Sequence, residues 1–360
     1  MRGSLFFRMV MQTTRQERAW INRARQMAAV FPLLILLSAC GLAQEVEKGA
    51  KLRPEDLSTS SLLSEPGPAF RVPVADKHAT IVVYGDQRFT DPSNMRVTNP
   101  VARRQLVAKI ATEHPDAILM NGDVPYSGDV VDDYRVFHDE TTVWQQANLN
   151  VFPALGNHEF HGDPQTALDH WWAAFPKLKN RRWYSAQIGS ALYTIALDSD
   201  ASLLPGGDQQ RWLDQQLKNL PASVAFVFLS LHHPPVADIQ TKINVSHNPR
   251  PNEIALRDYL ESIAPRLHAR IVVCAGHIHN YERFSEHGVV YLVSGGGGAS
   301  PVPVDRTPGD LYQNTDFPNF HYVKFELDGD SLHGTMIRFD DTADPAHQWQ
   351  VRDQFTIPRQ

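Results

Sequence analysis

Cysteine is nearly missing from this chain, with two in 360 residues. Two thiols make no disulfide framework, so a hydrophobic core must hold the fold. Long apolar runs are missing too. The longest, within residues 27–40, holds about 12 apolar residues, against the roughly 20 that a membrane-crossing helix needs. There is no excess of basic residues: Lys plus Arg number 34 against 40 Asp plus Glu, for a net charge of −6. That balance offers no basic groove, and no nucleic-acid partner is expected. Internal repeats and low-complexity tracts are lacking, which excludes solenoids. What is there is ordinary. The hydrophobic share of 42% and the charged share of 21% suit a globular protein with room for one large domain or two smaller ones.

The short apolar run has a specific setting. Arg18, Arg23 and Arg25 precede it and small residues close it, as in a secretory signal. Leu37-Ser38-Ala39-Cys40 resembles the bacterial lipobox, whose cysteine becomes the lipidated N-terminus. The alternative is an ordinary cleaved signal with an incidental cysteine. The stretch before Met27 is long for such a signal, which makes Met9 and Met11 alternative starts. Gly41, not Asp, follows Cys40, unlike the inner-membrane retention signal. The expectation is a lipoprotein signal peptide at 1–40, lipidation at Cys40, and a lipid anchor on the periplasmic face of a bacterial outer membrane. Residues 1–40 carry six Arg and one Glu, so their removal takes the charge from −6 to −11. Residues 41–74 hold Pro54, Pro66, Pro68 and Pro73 with no sustained period, and read as a flexible tether. Residues 75–360 read as the folded domain.

Within that domain, strand-like and helix-like segments alternate. Apolar runs at 79–84, 117–120, 151–155, 224–231 and 270–275 predict buried strands. Asn99 predicts the start of a helix to about 114, and 130–148, 163–175, 207–219 and 253–268 read as further helices. Residues 183–188 and 191–198 predict a hairpin, and 289–293, 322–327 and 331–339 further strands. This mixed order suggests two packed sheets with helices outside.

Five short motifs follow the five apolar runs. They are Gly85-Asp86-Gln87, Gly122-Asp123-Val124-Pro125-Tyr126, Gly156-Asn157-His158-Glu159, Leu231-His232-His233-Pro234 and Gly276-His277-Ile278-His279. Taken singly, each has an ordinary explanation, a turn Asp or a buried structural His. Taken together, they place two carboxylates, one amide and three imidazoles where loops leave parallel strands, which is one edge of a sheet. Such a set suits two cations, and two-metal sites hydrolyse phosphate esters.

The ordered set resembles the calcineurin-like metallophosphoesterase superfamily over about residues 79–339. Gly122 to Tyr126 and Gly276-His277-Ile278-His279-Asn280-Tyr281-Glu282-Arg283 are similar to motifs of its purple acid phosphatase branch. The resemblance implies a four-layer α/β/β/α sandwich, with two mixed β-sheets and flanking helices, as the catalytic domain. It implies that Asp86, Asp123, Tyr126 and His279 hold one metal and that Asp123, Asn157, His232 and His277 hold the other, with Asp123 bridging. It implies attack by a metal-bridging hydroxide, with His158 protonating the leaving group. Most of the superfamily has His where Arg88 stands, and an arginine cannot ligate as a cation. Tyr126 either supplies the missing ligand or serves as a hydroxyl that orients one. The implied cofactors are Fe(III) with a divalent Fe, Zn or Mn, although such N/O ligands suit several metals.

Other residues carry lesser expectations. Arg88 and His247 are candidate phosphate contacts, and His233 reads as structural. Tyr281 and Glu282 are expected to orient the metal histidines. Gly295 to Gly298 reads as a tight strand exit or an anion nest, and Cys274 as an inert buried thiol. The β-domain that plant purple acid phosphatases carry before the catalytic domain is not expected here. The function implied is hydrolysis of a small phosphorylated substrate, a monoester, in the manner of an acid phosphatase. One alternative is a phosphodiesterase for cyclic nucleotides or glycerophosphodiesters, since His232-His233-Pro234-Pro235 resembles bacterial members with that activity. The other is a non-catalytic envelope lipoprotein that uses the fold as a binding scaffold.

Overall fold

A computed structural model describes residues 67–74, 78–342 and 344–360. Cys40, the signal segment and most of the tether lie outside the described residues. Along the chain the elements are β1 (Phe70–Val72), β2 (His78–Tyr84), α1 (Pro100–Thr112), β3 (Ala117–Met120), α2 (Val131–Glu140), α3 (Thr142–Gln146), β4 (Val151–Pro153), α4 (Pro164–Ala174), β5 (Tyr184–Ile188), β6 (Leu192–Ala196), α5 (Asp208–Lys218), β7 (Phe226–Ser230), α6 (Pro251–Ile263), β8 (Arg270–Ala275), β9 (Tyr281–Glu286), β10 (Val289–Ser294), β11 (Phe320–Asp328), β12 (Ser331–Phe339) and β13 (Trp349–Pro358).

The strands form two mixed sheets. One runs β1-β5-β6-β7-β8-β10-β9 and the other β13-β12-β11-β2-β3-β4. Each has a parallel run, β6, β7, β8 and β10 in the first and β2, β3 and β4, out to the edge, in the second. Parallel strands covered on both faces read as unbroken apolar runs, as these do. The sheets face each other: the rings of Phe228 in β7 and Phe325 in β11 meet edge to face at 5.1 Å. Outside the first sheet, Trp212, Leu213 and Leu217 of α5 and Leu256 and Leu260 of α6 join its apolar face. Over the second sheet, Trp144 of α3 donates to the Val107 carbonyl of α1 at 2.9 Å and meets Tyr84 of β2 edge to face. The layers are therefore α/β/β/α.

Local signals account for the element ends. The Asn99 side chain accepts the N–H groups of Val101 and Ala102 and caps α1, with Pro100 in the first turn. Asp163 caps α4 in the same way through Thr166. The helix expected over 130–148 divides in two at Thr141. The Thr141 hydroxyl bonds back to the Phe137 carbonyl at 2.7 Å, a contact that bends helices. Three strands have no apolar run to announce them. β9 mixes charged and aromatic residues, and β13 is largely exposed. β1 falls inside the stretch read as tether, yet pairs in parallel with β5, Phe70 opposite Ala186 and Val72 opposite Ile188. The sheet thus takes in residues before 75.

Candidate metal centre

All five motifs sit where parallel strands end, and both sheets contribute. Asp86 follows β2, Asp123 follows β3 and Asn157 follows β4, while His232 follows β7, and His277 and His279 follow β8. Asp86, Asp123 and His277 hold positive φ, at 62°, 56° and 70°. Such conformations cost about 1–3 kcal/mol each and last only where the surroundings overdetermine them. Neighbouring glycines make room. A Cβ on Gly156 would lie 2.5 Å from Asp123 Oδ1, and one on Gly276 would lie 2.5 Å from Asp86 Oδ2.

The donor atoms fall into two groups. One oxygen each of Asp86 and Asp123 and one nitrogen of His279 lie within 4.8 Å of one another, as do single nitrogens of His232, His233 and His277. In the first group, His279 Nδ1 donates to the Ser300 carbonyl at 2.6 Å. Its Nε2 then faces Asp86 Oδ1 at 3.4 Å, and both atoms are buried without a hydrogen bond. In the second, His232 Nδ1 donates to the Asn121 carbonyl at 2.9 Å. That leaves the Nε2 lone pair facing Asn157 Oδ1 at 3.0 Å, Asp123 Oδ1 at 3.2 Å and His277 Nδ1 at 3.3 Å. Lone pairs gathered so closely repel unless positive charge lies among them. A divalent or trivalent cation supplies that charge, and the residues fit one in each group. Burial opposes a charged His232, but Asp123 and Asp86 outweigh it and raise its pKa.

Asp123 is the hub. Burial opposes its charge, yet His232, His158 and Arg88 hold the carboxylate far below its usual range. Arg88 Nη2 lies 3.1 Å from Asp123 Oδ2, so the arginine is ion-paired, and its Nε has no partner. His158 donates from Nδ1 to the Tyr126 carbonyl at 2.5 Å and turns Nε2 toward Asp123 Oδ2 at 3.7 Å. Burial pushes the His158 pKa down to about 3 against the pull of Asp123. The half-buried Tyr126 ring lies 5.5 Å from the His158 ring, at the same edge of the site. His247 comes close too, its ring 4.9 Å from His277 and its Nδ1 buried without a partner.

Three features were not legible in advance. His233, read as structural, stands among the metal-facing imidazoles. Glu159, quoted within a motif but given no role, accepts the N–H groups of Asp123, Val124 and Gly156 at 3.0, 2.8 and 2.7 Å. Asn121 accepts from His232 and binds across the sheets to Ser230 and Ala275. Glu282 accepts the Asp238 N–H at 2.8 Å, and Tyr281 donates to Asp353 at 2.9 Å. The glycine run is a close-packed strand exit: the N–H groups of Gly295 and Gly297 are taken by the carbonyls of Asn280 and Gly85. Cys274 is buried, and burial raises its thiol pKa.

Known proteins are similar to this chain in sequence and in fold. The probable purple acid phosphatase 20 of Arabidopsis thaliana is 28% identical over 161 residues, 40% of this chain and 36% of that protein. An uncharacterized protein of Mycobacterium tuberculosis is 28% identical over 225 residues, 55% of this chain and 39% of that protein. The chain thus spans well under half the length of these curated relatives. Among solved structures, the purple acid phosphatase of yellow lupin has a TM-score of 0.61 at 17% identity, covering 82% of this chain and 55% of that one. A dimetal phosphatase from Danio rerio has a TM-score of 0.52 at 15% identity, covering 82% and 100%. At such identities the likeness is one of fold. The family model for calcineurin-like phosphoesterases matches residues 75–281, more than half of the chain and all five motifs. The chain belongs to the calcineurin-like phosphoesterase family.

Proposed function

We propose that this protein hydrolyses phosphate monoesters with two metal ions, in the manner of an acid phosphatase. The observation that carries the reading is the set of opposed lone pairs: Asp86 Oδ1 against His279 Nε2, and His232 Nε2 against Asn157, Asp123 and His277. Asp86, Asp123, Tyr126 and His279 would hold one ion, and Asp123, Asn157, His232 and His277 the other. Bound there, two cations supply an activated water and neutralise the charge on the phosphoryl oxygens. The chain's own residues do the rest. Arg88, whose Nε is unpaired, and His247, whose Nδ1 is unpaired, bind phosphate oxygens. Asn157 would ligate through a neutral amide, which would keep the site positive enough for a phosphate dianion. His158, protonated at Nε2, gives that proton to the leaving oxygen while the Tyr126 carbonyl holds Nδ1.

The membrane is proposed as a second partner. The arginines ahead of residues 27–40 and the Leu37–Cys40 motif support lipidation at Cys40 and a place at the periplasmic face of the outer membrane. The likeness to a purple acid phosphatase supports the monoester reading and iron at the first site. The deciding experiment is metal analysis of the purified protein beside turnover of aryl phosphate monoesters and diesters. Two ions per chain with faster monoester turnover is the expected result. Faster diester turnover would make it a phosphodiesterase, and no turnover of either would make it a binding protein.

A further inference from the structure

The three histidines assigned as metal ligands are not held alike. A metal-ligating histidine commonly has its remote nitrogen fixed by a carboxylate or carbonyl, which sets its tautomer and angle. His232 has the Asn121 carbonyl at 2.9 Å, and His279 has the Ser300 carbonyl at 2.6 Å. His277 turns Nδ1 to His232, and its Nε2 makes no hydrogen bond among the described residues. It also stands at a positive φ of 70° and is less buried than the other two. Something else must fix its ring.

Two rings flank it. His233 lies against it at 4.3 Å between centroids, tilted 45°, and His247 meets it at 4.9 Å edge to face. Of these, His233 is anchored. It is 6% exposed. Its Nδ1 meets Ser199 Oγ at 2.8 Å, and the same hydroxyl accepts the His233 backbone N–H at 3.2 Å. Ser199 is pinned in turn, its carbonyl accepting from Arg250 at 2.8 Å and from Asn252 at 3.0 Å.

We propose that His233 is a positioning residue for the second metal: locked by Ser199, its ring wedges His277 into ligating orientation in place of a carbonyl. The proposal rests on the two-metal reading of this site. What matters at position 233 is then a fixed flat ring, not a nitrogen.

The test is metal binding, read by chelator competition on the full chain and independent of turnover. Two ions per wild-type chain tests the two-metal reading by itself. His233→Ala should weaken one of the two ions by about 10–100-fold, the usual effect of losing a ligand's support, and leave the other unchanged. The double variant Ser199→Ala, His233→Phe keeps a ring, drops both nitrogens and removes the hydroxyl that would be left unpaired. It should recover most of the lost affinity. Wild-type affinity in His233→Ala, or equal loss of both ions, would overturn the proposal. So would failure of the phenylalanine variant to recover, since His233 would then act through a nitrogen. If circular dichroism shows His233→Ala misfolded, the double variant alone decides: near-wild-type affinity for both ions supports the wedge, and loss of the second ion overturns it.

Discussion

The carboxylate of Glu159 accepts the backbone N–H of Asp123 at 3.0 Å, across 36 positions of sequence. Its two oxygens take two further N–H groups, from Val124 and Gly156. Burial and then the Asp123 charge push the Glu159 pKa upward, while three donors on two oxygens favour the carboxylate. Glu159→Gln puts an amide NH₂ where an acceptor is needed. The expected loss is about 1–3 kcal/mol of unfolding free energy, read by urea titration, with weaker metal retention. An unchanged midpoint would mean that Glu159 is already protonated in the native protein.

His158→Ala should keep both metals and lower turnover by about 10²–10⁴-fold, with the smallest loss for the best leaving groups. The sign of the pH dependence follows from its pKa of about 3 in the free protein. An acid must be protonated, so its share of kcat/KM falls as pH rises above that value. A bound phosphate dianion beside Nε2 favours the charged ring, so the fall in kcat comes at higher pH. Paired pH profiles check this, and a rate that climbs with pH through the same window would make His158 a base.

Tyr126→Phe should bleach the iron-loaded protein. A phenolate is a hard anionic donor that suits Fe(III) and gives a visible charge-transfer band with it. A colourless wild-type protein, active with zinc or manganese, would leave Tyr126 as a neighbour of His158 only.

Buried His321 predicts loss of stability in acid. Its Nδ1 donates to the Asn319 carbonyl and its Nε2 accepts from Ser294, and burial lowers its pKa to about 4. The unfolded value is about 6.5, so between these pH values only the unfolded chain takes the proton. The contribution is complete above pH 6.5 and is lost as pH falls through 4, by about 3 kcal/mol. His321→Gln can keep both hydrogen bonds without titrating. Urea unfolding at several pH values should show the variant less sensitive by that amount, and parallel curves would contradict it.

Cys40→Ser should release the protein from membranes with its activity intact. Fractionation checks this, and continued partition with membranes would reject lipidation at Cys40.

Much of the site was readable because its ligands follow strands that are mostly apolar. The runs at 79–84, 117–120 and 270–275 are strands β2, β3 and β8 within a residue, and each ends two to four positions before a ligand. What could not be read depends on partners distant in sequence. His233 gains its place from Ser199, 34 positions away, and Glu159 gains its role only once Asp123 is folded beside it. β1 has three residues in a proline-rich stretch, and only its pairing with β5 makes it a strand.

One consequence concerns the fold as a whole. Asp86, Asp123 and Asn157 hang from one sheet, and His232, His277 and His279 from the other. A cation shared between them is a cross-link between two halves of the chain, tying position 86 to position 279. It would act on the folded state alone, so the concentration of free metal would set how firmly the two sheets are clasped. Starving this protein of metal would therefore loosen its architecture along with its chemistry.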